Sequence, residues 1–300
     1  MEIIVLGAGA IGSLYGAKLA GQNDVTLIGR PEHVAAINAD GLRIEGTESR
    51  VERVQAGTEI ERIGPEALII LTTKVPGSTV ALRPVAPLVR DDTTILCLQN
   101  GIGSERLART ALGPRGVVLR GITQFGAIFK SPGVIQFMAR GCTLIEPHER
   151  SNRIAAVLSA AGLDCRVSPN IAADVWHKLV VNCVVNPITA ILGCEVGGIA
   201  NPELEPLKRL VIDECVSVAA AEGVTFPADF MQEINDFFRL SHNIASMLQD
   251  LRRGRSTEID YMNGAVVALG TQHGIECPVN RALAAIIHGM ETTAAALPPS

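Results

Sequence analysis

Hydrophobic residues in the first half of the chain occur as short runs, each long enough for one buried strand, with helical or turn-forming segments between them. The runs that predict strands are Glu2–Leu6, Val25–Ile28, Ala67–Thr72, Thr94–Leu98, Val117–Ile122, Val134–Met138 and Thr143–Ile145. This alternation favours a mostly parallel sheet that is covered by helices. The turn at Lys130-Ser131-Pro132-Gly133 is too short for a parallel crossover, so an antiparallel hairpin is predicted there.

From about Ile171 the pattern changes, and long segments with helical periodicity take over. The predicted helices are Ala173–Val185, Leu204–Glu222, Pro227–Leu240, Ile244–Leu251 and Thr257–His273. We expect Pro187 to bend or end its helix, because proline lacks an N–H donor and disfavours helical geometry at the residue before it. The tail Ala294–Ser300 is predicted to be frayed.

A length of 300 residues suits two domains, and we place the boundary near Ser168-Pro169, which gives domains at residues 1–168 and 169–300. With 47% hydrophobic but only 3% aromatic residues, the chain can bury a large aliphatic core. The net charge of −5 and the absence of any basic run longer than Arg252-Arg253 argue against a nucleic-acid partner.

The start of the chain lacks the features of a signal peptide, and no uninterrupted apolar run reaches the ~18 residues of a membrane span. We therefore expect a cytoplasmic protein without a membrane partner. The seven cysteines form neither a C-x-x-C pair nor a Cys/His cluster with metal spacing. They are expected to be small buried residues, with neither a metal site nor a disulfide framework.

A glycine-rich turn follows the first predicted strand, with the sequence Gly7-Ala8-Gly9-Ala10-Ile11-Gly12. Gly7 allows a tight turn, Gly9 lets the backbone approach a phosphate, and Gly12 lets the next helix pack closely. The N-terminus of that helix, predicted at Ser13–Ala20, then faces the anion. A strand on each side supplies the context that this motif requires. The first domain is therefore predicted to be a Rossmann-type dinucleotide-binding domain in which these six residues bind the cofactor.

The residue that ends the second strand distinguishes NAD from NADP. An NAD site usually has Asp or Glu there, roughly 20 residues after the first glycine, to bind the ribose 2′-OH. This chain has Gly29-Arg30 instead, and a guanidinium suits a 2′-phosphate by its charge and its bidentate geometry. NADP is therefore the predicted cofactor. The alternative is that Arg30 is an ordinary solvated residue, with Glu32 close to it.

Two further polar residues follow predicted strands, at the sheet edge where open α/β sheets bind ligands. Lys74 follows Ala67–Thr72, and Asn100 follows Thr94–Leu98. Lys74 can meet a phosphate or a substrate carboxylate, whereas Asn100 offers an amide near a nicotinamide. Both are assigned to cofactor binding, and Asn100 also to substrate binding. A solvated lysine and a plain Asn-Gly turn are the alternatives.

The first long helix of the second domain carries Lys178, Asn182 and Asn186 among leucines and valines. At about 100° per residue these three side chains form one narrow polar stripe. Because a buried polar group without a partner costs about 1–3 kcal/mol, the stripe is expected to line a cleft, placed between the sheet and the helical domain. The alternative is a solvated lysine beside two asparagines that cap the core.

A third polar group begins at Asn243 and Ser246 and continues to Thr257-Glu258-Ile259-Asp260. Thr257 and Asp260 have the spacing of a capping box, which predicts Glu258 in the first turn of a helix, where the helix dipole favours its ionised form. An ionised carboxylate would complement a cationic lysine in a cleft. The alternative is one of the many first-turn glutamates that are merely exposed.

Together these parts resemble the ketopantoate reductase family (2-dehydropantoate 2-reductases) over nearly the whole chain. The resemblance is carried by Gly7-x-Gly9-x-x-Gly12, Arg30, Lys74, Gln99-Asn100-Gly101, Lys178-x-x-x-Asn182-x-x-x-Asn186-Pro187-x-Thr189-Ala190, and Ser246-Met247-x-x-Asp250 with Thr257-Glu258-Ile259-Asp260-Tyr261-x-Asn263-Gly264. It implies that NADPH gives a hydride to the C2 carbonyl of ketopantoate, which yields pantoate, a precursor of pantothenate. It further implies that Lys178 donates the proton, that Glu258 supports Lys178 and the substrate, and that cofactor or substrate contacts are made by Asn100, Asn182, Asn186, Asn243 and Ser246.

Family members often carry histidines where this chain has Phe125 and Phe137. The resemblance therefore indicates the type of reaction but leaves the exact oxo acid open. One alternative is an NADP-dependent reductase of another, bulkier or more apolar 2-oxo acid. Another is a dinucleotide-binding protein without turnover, against which Lys178 and its polar stripe argue. The expected partner is a small 2-oxo acid, and the sequence leaves the oligomeric state open, a homodimer included.

Overall fold

The computed structural model describes residues 1–296 of the chain. Its strands are β1 (Glu2–Leu6), β2 (Asp24–Ile28), β3 (Leu42–Gly46), β4 (Arg50–Glu52), β5 (Gln55–Gly57), β6 (Leu68–Leu71), β7 (Thr94–Cys97), β8 (Val117–Thr123), β9 (Gly126–Ser131), β10 (Val134–Ala139), β11 (Thr143–Ile145) and β12 (Cys165–Val167). Its α-helices are α1 (Ala10–Leu19), α2 (Pro31–Asp40), α3 (Val75–Leu82), α4 (Ser104–Leu112), α5 (Ser151–Ala160), α6 (Ile171–Leu192), α7 (Glu205–Ala221), α8 (Phe230–Phe238), α9 (Ser246–Arg252), α10 (Asn263–Gln272) and α11 (Pro278–Ala296). Short 3-10 turns lie at Ala86–Leu88, Val196–Ala200, Pro202–Leu204 and Ile259–Tyr261.

These elements form two compact units. The sheet unit comprises residues 1–99 and 103–171. The helical unit comprises residues 100–102 together with the described residues from 172 onward. A short piece of the loop after β7 is therefore part of the helical unit, although it lies within the first half of the sequence.

The sheet unit is built on an eight-stranded sheet with the strand order β12-β11-β8-β7-β6-β1-β2-β5. From β5 to β8, each strand is parallel to its neighbours, and the order is that of a Rossmann fold. Strand β11 is antiparallel to β8, and β12 is parallel to β11. The predicted α/β class, with a mostly parallel Rossmann-type sheet in the N-terminal part, is confirmed.

Burial on both faces explains why the central strands are continuously apolar. In β1, Ile3 and Val5 belong to one hydrophobic core, whereas Ile4 and Leu6 belong to the other. No position of such a strand can carry a functional polar group without displacing core side chains. Functional side chains therefore begin only where each strand ends, at the carboxyl edge of the sheet.

A second sheet of the same unit has the strand order β4-β3-β10-β9. Strands β9 and β10 are antiparallel and form the predicted hairpin, with Ser131 paired to Val134 at its closed end. Strand β3 is parallel to β10 and antiparallel to β4. Strands β3, β4, β5 and β12 were not predicted. Strands β4, β5 and β12 have only three residues each, and no residue of β4 or β5 is buried.

The regular elements of the helical unit are all helices in the part of the chain that the structure describes, as predicted. Helix α6 contributes Trp176, Val180, Val184 and Ile188 to the hydrophobic core of this unit. By length and composition alone α6 could cross a membrane, but 61% of its most apolar stretch is buried inside the protein. Its apolar character therefore has a structural explanation as the core of a helical bundle.

Helix α6 does not end at Pro187, which contradicts one of the two outcomes expected for that residue. Proline cannot donate to the carbonyl of Cys183, four residues earlier. The side-chain amide of Asn263 takes over this role, with its Nδ2 donating to Cys183 O at 3.0 Å. The helix can therefore continue to Leu192, because a tertiary contact satisfies the carbonyl that proline leaves without a donor.

The predicted helix Thr257–His273 is also wrong as a single element. It consists of the 3-10 turn Ile259–Tyr261 and helix α10, separated by Met262 with φ −113° and ψ −101°, outside the helical region. Smaller differences occur at other ends: α1 begins at Ala10 rather than Ser13, and α11 extends through Ala296 into the tail predicted to be frayed. The rest of that tail, residues 297–300, lies outside the described residues.

Candidate active site

Backbone hydrogen bonds hold the glycine-rich turn between β1 and α1. The N–H groups of Gly7 and Ala8 both donate to the carbonyl of Ile28 at the end of β2, at 3.0 and 2.8 Å. Gly9 donates to the carbonyl of Gly7 at 2.7 Å. The N–H groups of residues 10–12 begin α1, where backbone donors have no acceptor within the helix. These donors lie at the positive end of the helix dipole and can hold a pyrophosphate.

Steric room explains the three glycines of this turn. Gly7 has φ +113°, and a Cβ there would lie 2.7 Å from the carbonyl carbon of Thr72. A Cβ on Gly12 would overlap the carbonyl oxygen of Gly7 and lie 2.5 Å from Thr72 Oγ1. A Cβ on Gly9 would come no closer than 4.0 Å to the atoms around it. Gly9 therefore relieves no clash within the protein but leaves the outer side of the turn open, which fits a bound phosphate group.

Arg30 lies exposed between β2 and α2. The preceding Gly29 packs tightly on the glycine-rich turn, since a Cβ on Gly29 would lie 2.9 Å from Ala8 Cβ. This contact brings the backbone of residues 29 and 30 beside the turn. Within residues 1–296 the Arg30 guanidinium has no hydrogen-bond or ion-pair partner, so it is available to an anion.

Lys74 is exposed and directly precedes α3 at the carboxyl end of the sheet. The buried side chain of Gln99, after β7, fixes the backbone around it: Gln99 Nε2 donates to Thr73 O at 2.7 Å and to Ser78 Oγ at 2.5 Å. Gln99 Oε1 is buried and accepts no hydrogen bond from the described residues. The sequence pattern pointed to Lys74 but not to the role of Gln99 as its support.

Lys178, Asn182 and Asn186 follow one another at intervals of four residues on α6. Lys178 and Asn182 are half-buried and Asn186 is buried, so the stripe does not face bulk water. The Nδ2 group of Asn186 donates weakly to the sulfur of Met262 at 3.5 Å. Asn182 Nδ2 is buried and finds no acceptor in the described part of the chain. A buried donor without an acceptor costs about 1–3 kcal/mol, so Asn182 is well suited to an oxygen of a ligand.

Glu258 belongs to a short stretch, residues 257–261, that we call the Glu258 segment. It precedes the 3-10 turn rather than lying in the first turn of an α-helix, so the predicted stabilisation by a helix dipole is wrong. Asn100 Nδ2 donates to Glu258 Oε2 at 3.3 Å, and the Ile102 N–H donates to Tyr261 O at 3.2 Å. Gly101 permits this approach, because a Cβ there would overlap the Tyr261 carbonyl oxygen. The structure thus brings Asn100 and Glu258 together.

The capping box predicted from Thr257 and Asp260 is not formed. Thr257 Oγ1 accepts from the Ile259 N–H at 3.2 Å, one residue earlier than a capping box requires. The Thr257 N–H donates to Glu291 Oε1 of α11 at 2.6 Å, so the acceptor that the box would take from Asp260 comes from a distant helix. The Asp260 carboxylate is directed instead to His288.

Asn243 and Ser246 lie on the stretch that leads into α9, of which Ser246 is the first residue. The backbone of Asn243 is fixed, since its carbonyl accepts from the Val196 N–H at 2.8 Å. Neither side chain forms a hydrogen bond with another described residue. Their assignment to substrate binding stays a prediction.

Sequence reasoning missed His33, a buried residue of α2 that supports the glycine-rich turn. Its Nδ1 accepts from the Gly133 N–H at 2.9 Å, so its Nε2 carries the hydrogen and donates to Ser13 Oγ at 3.0 Å. Burial lowers the pKa of His33, which suits this neutral ring. Ser13 directly follows Gly12, and the partners of His33 are 20 and 100 residues away, so no local pattern could have revealed this contact.

Phe125 and Phe137 are buried in a core of the sheet unit. Phe125 packs edge-on against Tyr15, with ring centroids 6.0 Å apart, and Lys18 Nζ lies 5.1 Å above the Phe137 ring. Both phenylalanines thus have a packing role.

In the described residues no group of three or more His, Cys, Asp or Glu side chains could hold a metal ion. All seven cysteines are free thiols, with Cys142 and Cys194 half-buried rather than buried.

Comparison with known proteins agrees with this architecture. The family description "Ketopantoate reductase PanE/ApbA" matches residues 3–150, and "Ketopantoate reductase PanE/ApbA C terminal" matches residues 170–291. A 2-dehydropantoate 2-reductase of Pyrococcus horikoshii is 41% identical over 300 residues, which cover 97% of this chain and 98% of the relative.

Two solved structures are similar over the same extent. A PanE/ApbA family ketopantoate reductase from Ralstonia eutropha has a TM-score of 0.91 and 32% identity, covering 98% of this chain and 100% of its own. D-mandelate dehydrogenase, solved with NADH and anilino(oxo)acetate, has a TM-score of 0.90 and 28% identity, covering 98% and 99% of the two chains. From the family matches and the extent of these similarities, the chain belongs to the ketopantoate reductase family of oxidoreductases.

Proposed function

We propose that the protein is an NADPH-dependent 2-dehydropantoate 2-reductase, which reduces ketopantoate to pantoate in pantothenate biosynthesis. The observation that carries this proposal is the stripe on α6, where Lys178 lies one helical turn from the buried, unpaired amide of Asn182. Lys178 can donate a proton, and the neighbouring Nδ2 group of Asn182 lacks a hydrogen-bond acceptor among the described residues. Together they suit a substrate with several oxygen atoms, such as a 2-oxo acid. Relatives named for this reaction, at 41% and 36% identity, support the same conclusion.

Most of the groups that would hold the cofactor belong to the sheet unit, whereas Asn100 belongs to the helical unit. The turn Gly7–Gly12 would bind the pyrophosphate through backbone N–H groups, with Gly9 leaving room for it. Arg30 would bind the 2′-phosphate, and Lys74 and Asn100 would supply further contacts. When bound, NADPH supplies a hydride for the C2 carbon of the oxo acid.

The helical unit supplies the proton and the contacts to the acid. Lys178 donates a proton to the carbonyl oxygen as negative charge develops there. Asn182 donates its Nδ2 hydrogen to an oxygen of the substrate, and Asn186, Asn243 and Ser246 extend the same contact surface. The carboxylate of Glu258 accepts from Asn100 and complements the positive charge of Lys178.

A second candidate function is the reduction of a bulkier 2-oxo acid. It is favoured by the similarity to D-mandelate dehydrogenase, whose solved complex contains NADH and anilino(oxo)acetate. In both cases we expect a cytoplasmic enzyme that acts on a free small molecule, with no nucleic-acid or membrane partner.

Oxidation of NADPH and of NADH by the purified protein, measured by absorbance with ketopantoate and with phenylglyoxylate, tests the proposal. We expect the highest kcat/KM for the pair NADPH and ketopantoate. A higher kcat/KM with phenylglyoxylate would favour the second candidate. Tight NADPH binding without oxidation by either acid would identify a dinucleotide-binding protein without turnover.

A further inference from the structure

Three titratable side chains, Asp260, His288 and Glu291, form a cluster that includes one residue of the Glu258 segment. His288 of α11 directs one ring nitrogen to each of two carboxylates: Nε2 lies 2.9 Å from Asp260 Oδ1, and Nδ1 lies 3.2 Å from Glu291 Oε2. The other oxygen of Glu291 accepts from the Thr257 N–H at 2.6 Å. Two points of the Glu258 segment, Thr257 and Asp260, are thus connected to one helix through His288 and Glu291.

The hydrogen bonds of this cluster define its charge state. An ionised carboxylate can only accept, so both ring nitrogens of His288 must donate, and only the imidazolium ion does so. The bond to Glu291, which outweighs the opposing effect of burial, and the bond to Asp260 raise the pKa of His288 above its ordinary value. Burial alone would favour a neutral Glu291, but its bonds to Thr257 and His288 keep its pKa below the usual range.

The Glu258 segment is therefore held by two separate sets of contacts. Asn100 and Ile102 contact Glu258 and Tyr261. Glu291 and His288 of α11 contact Thr257 and Asp260, the residues that flank Glu258 and Ile259. Gly264 leaves room for the second contact, because a Cβ there would lie 3.3 Å from Asp260 Oδ1, the atom that accepts from His288.

We propose that Asp260, His288 and Glu291 are positioning residues that keep the Glu258 segment, and with it the Glu258 carboxylate beside Asn100, in the conformation required for turnover. None of the three needs to touch the substrate. The proposal rests on the proposed function for its kinetic consequence, whereas the restraint on the segment can be measured without any substrate.

The proposal includes a direction for the pH dependence. Asp260 from the 3-10 turn and Glu291 from α11 are the charged groups that face the His288 ring in the described structure. Because the folded protein raises the pKa of His288, both bonds are present at low pH, and one is lost as the pH rises through that pKa. The segment should therefore loosen on the alkaline side.

Hydrogen–deuterium exchange of the full-length protein, followed on a peptide covering residues 257–262, tests the restraint directly. The variants are His288→Ala and Asp260→Asn, the latter keeping the acceptor oxygen but not the charge. His273→Ala is the matched control, since His273 forms a similar pair with Glu222 elsewhere in the helical unit, at 2.5 Å. At one pH below the pKa of His288, we expect severalfold faster exchange in His288→Ala, a smaller increase in Asp260→Asn, and none in the control.

The same proteins are then assayed with NADPH and ketopantoate over a range of pH. We expect kcat/KM for ketopantoate to fall about tenfold in His288→Ala with NADPH affinity unchanged, since displacement of a reacting group by about 1 Å can cost on the order of 10²-fold. The part of the alkaline decline that comes from His288 should shift to lower pH in Asp260→Asn and be absent in His288→Ala, whereas the decline that comes from loss of the Lys178 proton should stay in all variants.

The proposal would be overturned if His288→Ala and Asp260→Asn showed the same hydrogen–deuterium exchange and the same kinetics as the His273→Ala control. Faster exchange without any change in kcat or KM would also overturn it, because the restraint would then have no effect on Glu258. If even the wild type fails to reduce ketopantoate, the proposed function fails, and the exchange data still decide whether the three residues restrain the segment.

Discussion

The two units present the groups that we propose to be functional by different means. In the sheet unit, the turn Gly7–Gly12 offers backbone N–H groups, and its shape is set by glycines whose missing Cβ atoms prevent overlap with the neighbouring backbone. In the helical unit, the groups are the side chains of Lys178, Asn182 and Glu258. Their positions depend on α6 and on contacts from residues as far away in sequence as Asn100, 158 positions before Glu258.

This difference implies two kinds of mutational sensitivity. A site made of backbone groups is insensitive to most side-chain changes, and only an intruding Cβ or the loss of a charged specificity residue should alter it. A site made of side chains loses its chemistry when one of them is removed, and it weakens gradually when a distant support is removed.

The largest expected effect is that of Lys178→Ala. Loss of a general acid typically lowers the rate by about 10²–10⁴-fold, so kcat should fall within that range. NADPH affinity should stay nearly unchanged, because Lys178 is proposed to act on the developing alkoxide and not on the cofactor, whereas the turn Gly7–Gly12 and Arg30 lie in the sheet unit. Steady-state kinetics together with NADPH titration measure both quantities. A variant with the kcat of the wild type would exclude Lys178 as the proton donor.

Arg30→Ala should change cofactor choice rather than chemistry. A hydrogen bond to a charged group contributes about 1.5–3 kcal/mol, so NADPH binding should weaken about 10- to 150-fold. NADH binding should change little, because NADH lacks the 2′-phosphate. Titration of both cofactors checks this result, and equal losses for the two would show that Arg30 is not the specificity residue.

Asn263→Ala should destabilise the helical unit, because it leaves the Cys183 carbonyl without a donor next to Pro187. The expected loss is about 1–3 kcal/mol in the free energy of unfolding, measured by denaturant titration. Asn38→Ala is a suitable control, since Asn38 also donates to a backbone carbonyl, that of Ala56, but at an exposed site. Its effect should stay within about 0.5 kcal/mol. Equal losses for both variants would argue against a role for burial.

Glu258→Gln should have the smallest effect of the four. The amide oxygen of glutamine can still accept from Asn100, so only the charge is lost, a difference of about 1 kcal/mol or roughly fivefold in kcat or KM. The thermal midpoint should not change, because Glu258 does not lie in the first turn of an α-helix. Normal kinetics combined with a lower midpoint would assign Glu258 a purely structural role.

The sequence predicted those parts of the site that are encoded locally. Gly7, Gly9 and Gly12 are recognisable by their spacing directly after a strand, and a Cβ on Gly12 would overlap Gly7 of the same turn. The strand order confirmed the Rossmann-type sheet. Lys178, Asn182 and Asn186 likewise lie on one face of a helix as predicted from their four-residue interval, because α6 is one continuous helix.

The errors arose where a distant residue replaced a local interaction. Asn263 supplies the donor that Pro187 lacks, so the helix does not end there, which was one of the two outcomes expected from local rules. Glu291 accepts from the Thr257 N–H, so Thr257 and Asp260 form no capping box in spite of their spacing. His33 gave no signal, because its partners Ser13 and Gly133 come close only in the folded chain.

The central claim is that the sheet unit selects the cofactor while the helical unit supplies the proton. It is tested most directly by measuring the NADPH dissociation constant and the single-turnover rate of NADPH oxidation by ketopantoate in Arg30→Ala and Lys178→Ala. At saturating NADPH, we predict that Arg30→Ala has a weakened affinity and the rate of the wild type, whereas Lys178→Ala has the affinity of the wild type and a strongly reduced rate. Similar changes of both quantities in either variant would contradict the claim.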